Sequence, residues 1–240
     1  ESRLNMQYPG YTIPERELIN TELLLMPAQT DSSDVALEKG PNIKSLPDFQ
    51  SLKEHVNDSN GFPVLLKMQD NISTDEILRA GAQVLPLRSN IEAISKWSFY
   101  IIDQNFYTRA RSAYEEYGGH IVVAGDNYAQ GSSREHAAIA PRYLGQVAVI
   151  ARSYARIGWQ NLINFGIVPL EFQDPEDYNR IEQGDLITLP GLADSIRANQ
   201  TTQVYNQSKD ETYTATYSMS SRQRDVILAG GVINHFKNAA

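Results

Sequence analysis

Three short apolar runs, separated by stretches of helical spacing, constrain the fold of this chain more than any other feature. The runs lie at residues 120–124, 146–151 and 167–172, and the helical stretches between them lie at 132–143 and 154–165. Short apolar runs are typical of buried strands, and their alternation with helices favours parallel strands joined by crossovers. The sequence therefore predicts an α/β fold with a central β-α-β-α-β unit.

Further elements are predicted on both sides of this unit. Strands are indicated by short runs of apolar and β-branched side chains, and helices by apolar side chains at every third or fourth position. The last two predicted strands flank a polar turn that is typical of a hairpin. The additional strands are predicted at 62–68, 184–190, 201–206 and 211–219, and the additional helices at 103–117 and 224–237.

Residues 1–45 differ from the rest of the chain in composition. They contain four prolines, two glycines and a Thr-Asp-Ser-Ser-Asp cluster, which favour extended or turning backbone over long helices. We expect a linker or wrapping arm over 1–45 and one α/β domain over 46–240. The first residues lack an initiator Met and the profile of a secretory signal, so we expect the chain to be part of a longer polypeptide.

Charge and hydrophobicity disfavour several classes of partner. The chain has 29 acidic and 21 basic residues and a formal charge of −8, without a run of basic residues, which disfavours nucleic acid and anionic lipid. No apolar run approaches the roughly 18 residues that a membrane-spanning helix needs. We expect a soluble, cytoplasmic protein with no membrane partner, and the mitochondrial matrix stays open as an alternative location.

The content of cysteine and histidine argues against a metal site within this chain. There is no cysteine, which excludes disulfides and a thiolate-bound cluster. The four histidines never occur four residues apart, the spacing that would put two ligands on one helical face. No metal ligand is therefore predicted among these residues.

A glycine-bracketed turn at 125–131 comes directly before the predicted helix at 132–143. Ser132, Ser133 and Arg134 would bring two hydroxyls and a guanidinium to the helix N-terminus, where unpaired amides and the helix dipole attract anions. A carboxylate would fit there. The spacing also matches a capping box, in which Ser132 caps the helix and Glu135 bonds back to the cap amide, and spacing alone favours capping.

The residues of this segment carry a family resemblance. The run Gly-Ser-Ser-Arg-Glu-His-Ala-Ala at 131–138, with Pro-Arg at 141–142 and Leu-Gly at 144–145, resembles the signature of the swivelling domain of the aconitase and isopropylmalate isomerase family. The resemblance covers most of 40–236 and implies a swivelling three-layer β/β/α-type domain with additional short antiparallel strands. Further matching tracts follow in the family's order at 40–44, 73–75, 154–157 with Asn161, and 229–231.

The resemblance implies roles for the residues of the loop. Ser132 corresponds to the base that removes a proton beside a substrate carboxylate. Ser133 and Arg134 correspond to residues that bind substrate carboxylate. Glu135 and His136 are assigned mainly to capping and packing.

Two more residues receive roles from the resemblance. Arg88 corresponds to a second substrate-binding arginine, for which Arg79 is a competing candidate. Asp75 corresponds to a catalytic carboxylate that orients a histidine of another domain for proton transfer. The alternative role of Asp75 is a helix or turn cap, given the Ser-Thr-Asp-Glu sequence at 73–76.

The reaction implied by the resemblance is that of a hydro-lyase, the dehydration of citrate to cis-aconitate and its rehydration to isocitrate. It implies a 4Fe-4S cluster ligated outside this chain, partner domains that carry the cluster, and a small tricarboxylic acid as substrate. The isolated chain is then expected to be inactive. The alternatives are a domain or small subunit of homoaconitase or 3-isopropylmalate dehydratase, an RNA-binding module, and a folded unit excised from a larger enzyme.

Overall fold

A computed structural model of the chain describes residues 10–15, 20–27, 36, 38–56 and 61–239. The chain divides into two compact units, residues 1–38 and 39–240. The described part of the first unit contains a short 3-10 helix at Thr21–Leu23, and the side chains of Leu24, Leu25 and Met26 are exposed. All candidate site residues lie in the second unit.

The second unit is a mixed α/β domain whose described residues form seven strands and ten α-helices. Each predicted strand and helix is confirmed, with differences at the ends, and the helix predicted at 224–237 is two helices separated by Gly230 and Gly231. The strands are β1 (Phe62–Met68), β2 (His120–Ala124), β3 (Gln146–Ala151), β4 (Val168–Phe172), β5 (Leu186–Thr188), β6 (Thr202–Asn206) and β7 (Glu211–Thr216). The helices are α1 (Leu52–His55), α2 (Thr74–Ile77), α3 (Ile91–Ser95), α4 (Phe106–Tyr117), α5 (His136–Tyr143), α6 (Arg156–Asn164), α7 (Asp177–Arg180), α8 (Leu192–Ala198), α9 (Ser221–Leu228) and α10 (Val232–Ala239).

The first four strands are parallel neighbours in the order β1-β2-β3-β4, as the central β-α-β-α-β pattern predicts. Ile150 of β3 lies opposite both Val123 of β2 and Leu170 of β4. Strand β6 lies between β5 and β7 and is antiparallel to both. Because β7 also pairs with β4 and β5 pairs with β1, the sheet closes on itself.

Burial on both faces explains why β2 and β3 are continuous apolar runs. Ile121 and Val123 pack inside the closed sheet, whereas Val122 and Ala124 pack against residues of α4, α5 and α6. Each buried aliphatic side chain of this kind contributes about 1.5–3 kcal/mol relative to exposure. The carboxyl ends of β1, β2 and β3 are thereby fixed side by side, and the loops that follow them carry the candidate site.

Candidate active site

The loops after β1, β2 and β3 are joined by backbone hydrogen bonds. Two amides of the β1 loop donate to backbone oxygens of the β2 loop. The amide of Asn71 donates to the oxygen of Asp126 (2.7 Å), and the amide of Thr74 donates to the oxygen of Gln130 (2.8 Å). On its other side, the amide of Tyr128 donates to the oxygen of Ser153 (3.0 Å). The loop at 125–135 is therefore held between its two neighbours, and its position follows that of the sheet.

Two glycines allow the β2 loop to approach the β1 loop closely. A Cβ at Gly125 would lie 1.9 Å from Asp70 Oδ1, the atom that accepts a 2.7 Å hydrogen bond from the amide of Asp126. Gly131 has φ +108°, and a Cβ there would lie 3.2 Å from Thr74 Oγ1. Only glycine adopts this φ without strain, so both positions depend on the missing side chain.

The same loop contains two left-handed residues that are not glycine. Asn127 has φ 56° and Ala129 has φ 60°. The Asn127 side chain donates to Asn71 Oδ1 (3.0 Å) and to Gln130 Oε1 (3.1 Å), which fixes this backbone conformation. Backbone of this kind costs about 1–3 kcal/mol per residue and persists only where its surroundings determine it, as these contacts do.

The end of the loop opens into a groove of about 430 Å³. Ser132, Ser133, Arg134 and Arg88 line it, so the structure brings together all four predicted loop and substrate-binding residues. Ser132, Ser133 and Arg88 are exposed, and Arg134 is half-buried. Two hydroxyls and two guanidinium groups thus face one solvent-accessible space, which suits an anionic ligand with more than one carboxylate.

Asp75, the fifth predicted residue, contacts the groove through Arg134. Arg134 Nη1 donates to Asp75 Oδ1 (2.7 Å) and to the oxygen of Leu78 (2.9 Å). The hydrogen bond from Arg134 lowers the pKa of Asp75, which stays ionised at neutral pH. Among the described residues, these contacts use only Nη1 of Arg134, so Nη2 and Nε stay available for a ligand carboxylate.

The predicted start of the helix at Ser132 is wrong, and with it the capping box at Ser132 and Glu135. Helix α5 begins at His136, and its N-cap, Glu135, has helical φ and ψ and makes no side-chain capping bond. The positive φ of Gly131 and the hydrogen bond of Gln130 to Thr74 direct the chain along the β1 loop instead. The two serines are therefore not occupied in capping, and they precede the helix by several residues.

Another residue, and not Asp75, caps helix α2. Ser73 is the N-cap of α2, with its Oγ accepting from the amide of Glu76 (3.2 Å) and the Glu76 carboxylate accepting from the amide of Ser73 (2.8 Å). Asp75 lies inside the helix, and its carboxylate accepts a weaker bond from the amide of Ala80 (3.2 Å). Asp75 thus closes a turn and binds Arg134, but it does not cap α2.

Comparison with known proteins agrees with this geometry. The family model described as the aconitase C-terminal domain matches residues 66–175, a range that contains every residue of the groove named above. The chain contains an aconitase C-terminal domain. A mitochondrial aconitate hydratase of Saccharomyces cerevisiae is 31% identical over 252 residues, covering 95% of this chain and 32% of the yeast protein.

Other relatives place the domain in the same family. A probable mitochondrial aconitate hydratase of Dictyostelium discoideum is 32% identical over 196 residues, covering 73% of this chain and 25% of that protein. A 3-isopropylmalate dehydratase of Methanocaldococcus jannaschii, known as a crystal structure, has a TM-score of 0.59 at 28% identity, covering 74% of this chain and 93% of that one. The chain spans between a quarter and a third of the length of these aconitate hydratases.

Sequence reasoning gave no role to one residue of the aconitase C-terminal domain that contacts a groove residue. Thr74 is buried, with 2% of its surface exposed, and its Oγ1 lies 3.4 Å from Ser132 Oγ. The only signal for it in the sequence is its position beside Asp75 in the tract at 73–75. The hydroxyl of Ser132 consequently faces a protein hydrogen-bonding group.

His136 has a role beyond the predicted packing. Its Nε2 donates to the backbone oxygen of Arg88 (2.9 Å), and its ring lines the groove beside Arg134. The bond connects the first residue of α5 to the segment that carries Arg88. His136 thus holds the two arginine-bearing segments of the domain together.

Arg79 and Arg88, the competing candidates, differ in their surroundings. The Arg79 guanidinium lies 5.9 Å from the ring centre of Trp97, a cation–π contact, and Arg79 does not line the groove. Arg88 is exposed and lines the groove together with Ser132 and Ser133. Arg88 is therefore the better candidate for a ligand contact in this domain.

Proposed function

We propose that this chain is the substrate-binding and base-bearing domain of an aconitate hydratase, which isomerises citrate to isocitrate through cis-aconitate. One observation carries the proposal, namely that Ser132, Ser133, Arg134 and Arg88 line a single groove. The family of the domain and the names of its curated relatives support the choice of reaction. The substrate in this proposal is a small tricarboxylic acid.

In the proposed reaction, Ser132 Oγ removes the proton from the carbon beside a substrate carboxylate. A serine alkoxide is costly at neutral pH unless a nearby cation and hydrogen-bond donors stabilise it. The charge of Arg134 and the hydroxyl of Thr74, 3.4 Å from Ser132 Oγ, are the groups that would do so. In the rehydration that gives isocitrate, Ser132 would deliver the proton to the other carbon of the double bond, the one that lost the hydroxyl, and the hydroxyl from water would add to the carbon that lost the proton.

The remaining groove residues are proposed to hold and orient the substrate. The free Nη2 and Nε of Arg134 would bind one carboxylate in a two-point geometry, with Ser133 donating from the same side. Arg88 would bind a second carboxylate across the groove. Asp75 would orient a histidine of another domain, and its carboxylate also holds Arg134 in place.

A 4Fe-4S cluster does not fit the residues of this chain. The sequence has no cysteine, and among the described residues no group of three His, Asp or Glu side chains is placed to hold a metal ion. We propose that the cluster is ligated by other domains of the same enzyme, which are then the partners of this one. The isolated chain would accordingly have no turnover.

Domain organisation and location belong to the same proposal. We propose that residues 1–45 link the α/β domain to those partner domains. The three-layer β/β/α arrangement is supported by the two faces of β2 and β3, one packed on helices and the other on the interior of the closed sheet.

Several relatives are named as mitochondrial, which supports the mitochondrial matrix as the location. In the described part of the chain, no helix is long and apolar enough to cross a membrane.

A related isomerase is the second candidate, because one crystal structure that the chain resembles is a 3-isopropylmalate dehydratase. The enzyme containing this chain would be assayed on citrate, homocitrate and isopropylmalate. We expect a higher kcat/KM with citrate than with isopropylmalate, since Arg88 offers a charged partner for the third carboxylate that citrate carries. A preference for isopropylmalate or homocitrate would refute the choice of substrate while leaving the family unchanged.

An RNA-binding role is disfavoured by the charge of −8 and by the absence of a basic run in the sequence. A shift assay with structured RNA at two salt concentrations tests it. We expect no binding at about 150 mM salt, and tight, salt-dependent binding would contradict the proposal.

A further inference from the structure

A second pocket, of about 160 Å³, lies at the amino ends of the parallel strands, whereas the groove lies beyond their carboxyl ends. It is bordered by Gly145, which directly precedes β3, and by Arg142 near the end of α5, whereas the groove lies at the beginning of that helix. Its other walls come from α4, through Arg111 and Tyr114, and from the segment at 47–50. No residue of this pocket has a part in the proposed reaction.

The wall of this pocket contains a buried positive charge. Arg142 is only 4% exposed, and burial lowers its pKa to about 10, so the guanidinium is still charged at neutral pH. Its Nη2 donates to the oxygen of Gln50 (3.0 Å) and its Nη1 to Nδ1 of His55, while Nε has no hydrogen-bond partner among the described residues. A buried cation of this kind ordinarily has a counter-charge, because desolvation costs several kcal/mol per ion.

The neighbouring groups of the described chain do not supply that counter-charge. Burial lowers the pKa of His55 to about 3, and because Nδ1 accepts from Arg142, its Nε2 carries the proton and donates to the oxygen of Gly118 (3.2 Å). Asp48, the one carboxylate lining the described pocket, is bound to Lys237 (3.0 Å). The ring of Phe49 lies 5.5 Å from the Arg142 guanidinium and offers only a cation–π contact.

A second arginine faces the same space. Arg111 lines the pocket from α4. Its side chain is 39% exposed, and its Nη2 lies 3.7 Å from Glu115 Oε1, a loose pair on the helix surface. Such an exposed pair contributes little to stability, so Arg111 can turn to a ligand at small cost. Two guanidinium groups on different helices suit an ion that presents oxygens in several directions.

We propose that this pocket, which we call the Arg142 pocket, binds a phosphate-sized oxyanion. The volume equals that of roughly five water molecules at about 30 Å³ each, enough for such an ion with part of its hydration shell. Arg142 would provide the fixed charge at the base of the pocket, and Arg111 would close over the ion from the rim. Helix α5 would then connect this anion at its end with the serine and arginine segment at its beginning.

The test is an NMR titration of the chain with inorganic phosphate at constant ionic strength maintained with sodium chloride. We expect saturable shifts of the amides of Gln50, His55 and Gly145, distinguishable from any shifts at residues 131–136 of the groove. Malonate is titrated in parallel, and we expect it to bind the pocket more weakly. Pocket amides that respond to phosphate no more than to chloride, or a tighter response to malonate, would overturn the proposal.

Variants separate the pocket from general charge effects. Arg111→Gln removes a rim charge without disturbing the core, and we expect phosphate binding to weaken about tenfold, the typical effect of losing one charge-assisted bond. Arg197→Gln is the control, because Arg197 is likewise an exposed helical arginine in a surface pair, with Asp194, and does not line the pocket. Arg142→Lys keeps the buried charge and loses the guanidinium fork, so it should also weaken binding. Equal phosphate affinity of wild type and Arg111→Gln would count against the assignment.

Discussion

Gly125→Ala should destabilise the domain through one identified contact, the approach of the β2 loop to Asp70. The new Cβ would lie 1.9 Å from Asp70 Oδ1, whereas unbonded carbon and oxygen atoms keep about 3.3 Å apart. The carboxylate must therefore move by more than an ångström and release the amide of Asp126, which it now binds at 2.7 Å. The turn that precedes Thr74 and Asp75 and the loop that precedes Ser132 would both lose this support.

The magnitude follows from the bond that is lost. A hydrogen bond to a charged group is worth about 1.5–3 kcal/mol, and the lower end applies because Asp70 and Asp126 are exposed. Replacing glycine by alanine at a compatible φ returns about 0.4–1 kcal/mol by restricting the unfolded chain. The expected net loss is about 1 kcal/mol, which lowers Tm by roughly 2–4 °C for a domain of this size.

Urea unfolding of a double-mutant cycle tests the explanation. Asp70→Ala removes the 1.9 Å clash and the bond and leaves a 3.0 Å approach to the backbone nitrogen of residue 70, so Gly125→Ala should cost clearly less when added to it than in the wild type. Gly40→Ala is the control, since a Cβ there meets only Ile43 atoms at 3.7 and 3.9 Å. Additive losses in the double variant would refute the reasoning, because the cost of Gly125→Ala would then not depend on Asp70.

Three further outcomes are expected. Thr74→Val should lower kcat in the complete enzyme with little change in KM, measured by steady-state kinetics. It should lower the free energy of unfolding by about 1 kcal/mol or less, measured by urea unfolding. An unchanged kcat would contradict the role of the Thr74 hydroxyl beside Ser132. Arg134→Lys should raise KM for citrate at least about tenfold, because lysine lacks the two-point geometry, and an unchanged KM would contradict this. Since the folded pKa of Asp75 is lowered, its stabilising effect is present above the unfolded pKa of about 3.9 and is lost as pH falls through the folded value. The free energy of unfolding of the wild type should therefore exceed that of Asp75→Asn by at most about 1 kcal/mol near pH 7, since the carboxylate is largely exposed. The difference should shrink as pH falls below about 3.9, and a difference that grows on acidification would show the opposite sign.

Local patterns were sufficient to predict the central unit of the fold. Strands β2 and β3 are buried on both faces and are therefore uninterrupted apolar runs, and the end of α4 is marked by Gly118 in the left-handed region with φ 78°. The closure of the sheet could not be predicted in this way. It depends on pairing Phe62 with Ile187, residues whose own sequences carry no sign of each other.

The site was predicted as a set of residues, but its contacts were not. Arg134 and Asp75 are 59 positions apart in the chain, and nothing in either segment indicates their ion pair. The capping box at Ser132 and Glu135 was a sound local pattern, but it was overridden by the φ of Gly131 and by hydrogen bonds to the neighbouring loop. Local spacing cannot register such tertiary contacts, and the same holds for the bond of His136 to Arg88.

The central claim is that this domain supplies the base and the carboxylate-binding groups of the reaction. The most direct test compares Ser132→Ala with Ser133→Ala in the complete enzyme. The two serines are adjacent, exposed and in the same groove, so each variant is the control for the other. We predict that Ser132→Ala lowers kcat for citrate by a factor of about 10²–10⁴ with KM nearly unchanged, as expected for loss of a general base. Ser133→Ala should mainly raise KM. Wild-type kcat in Ser132→Ala would contradict the account.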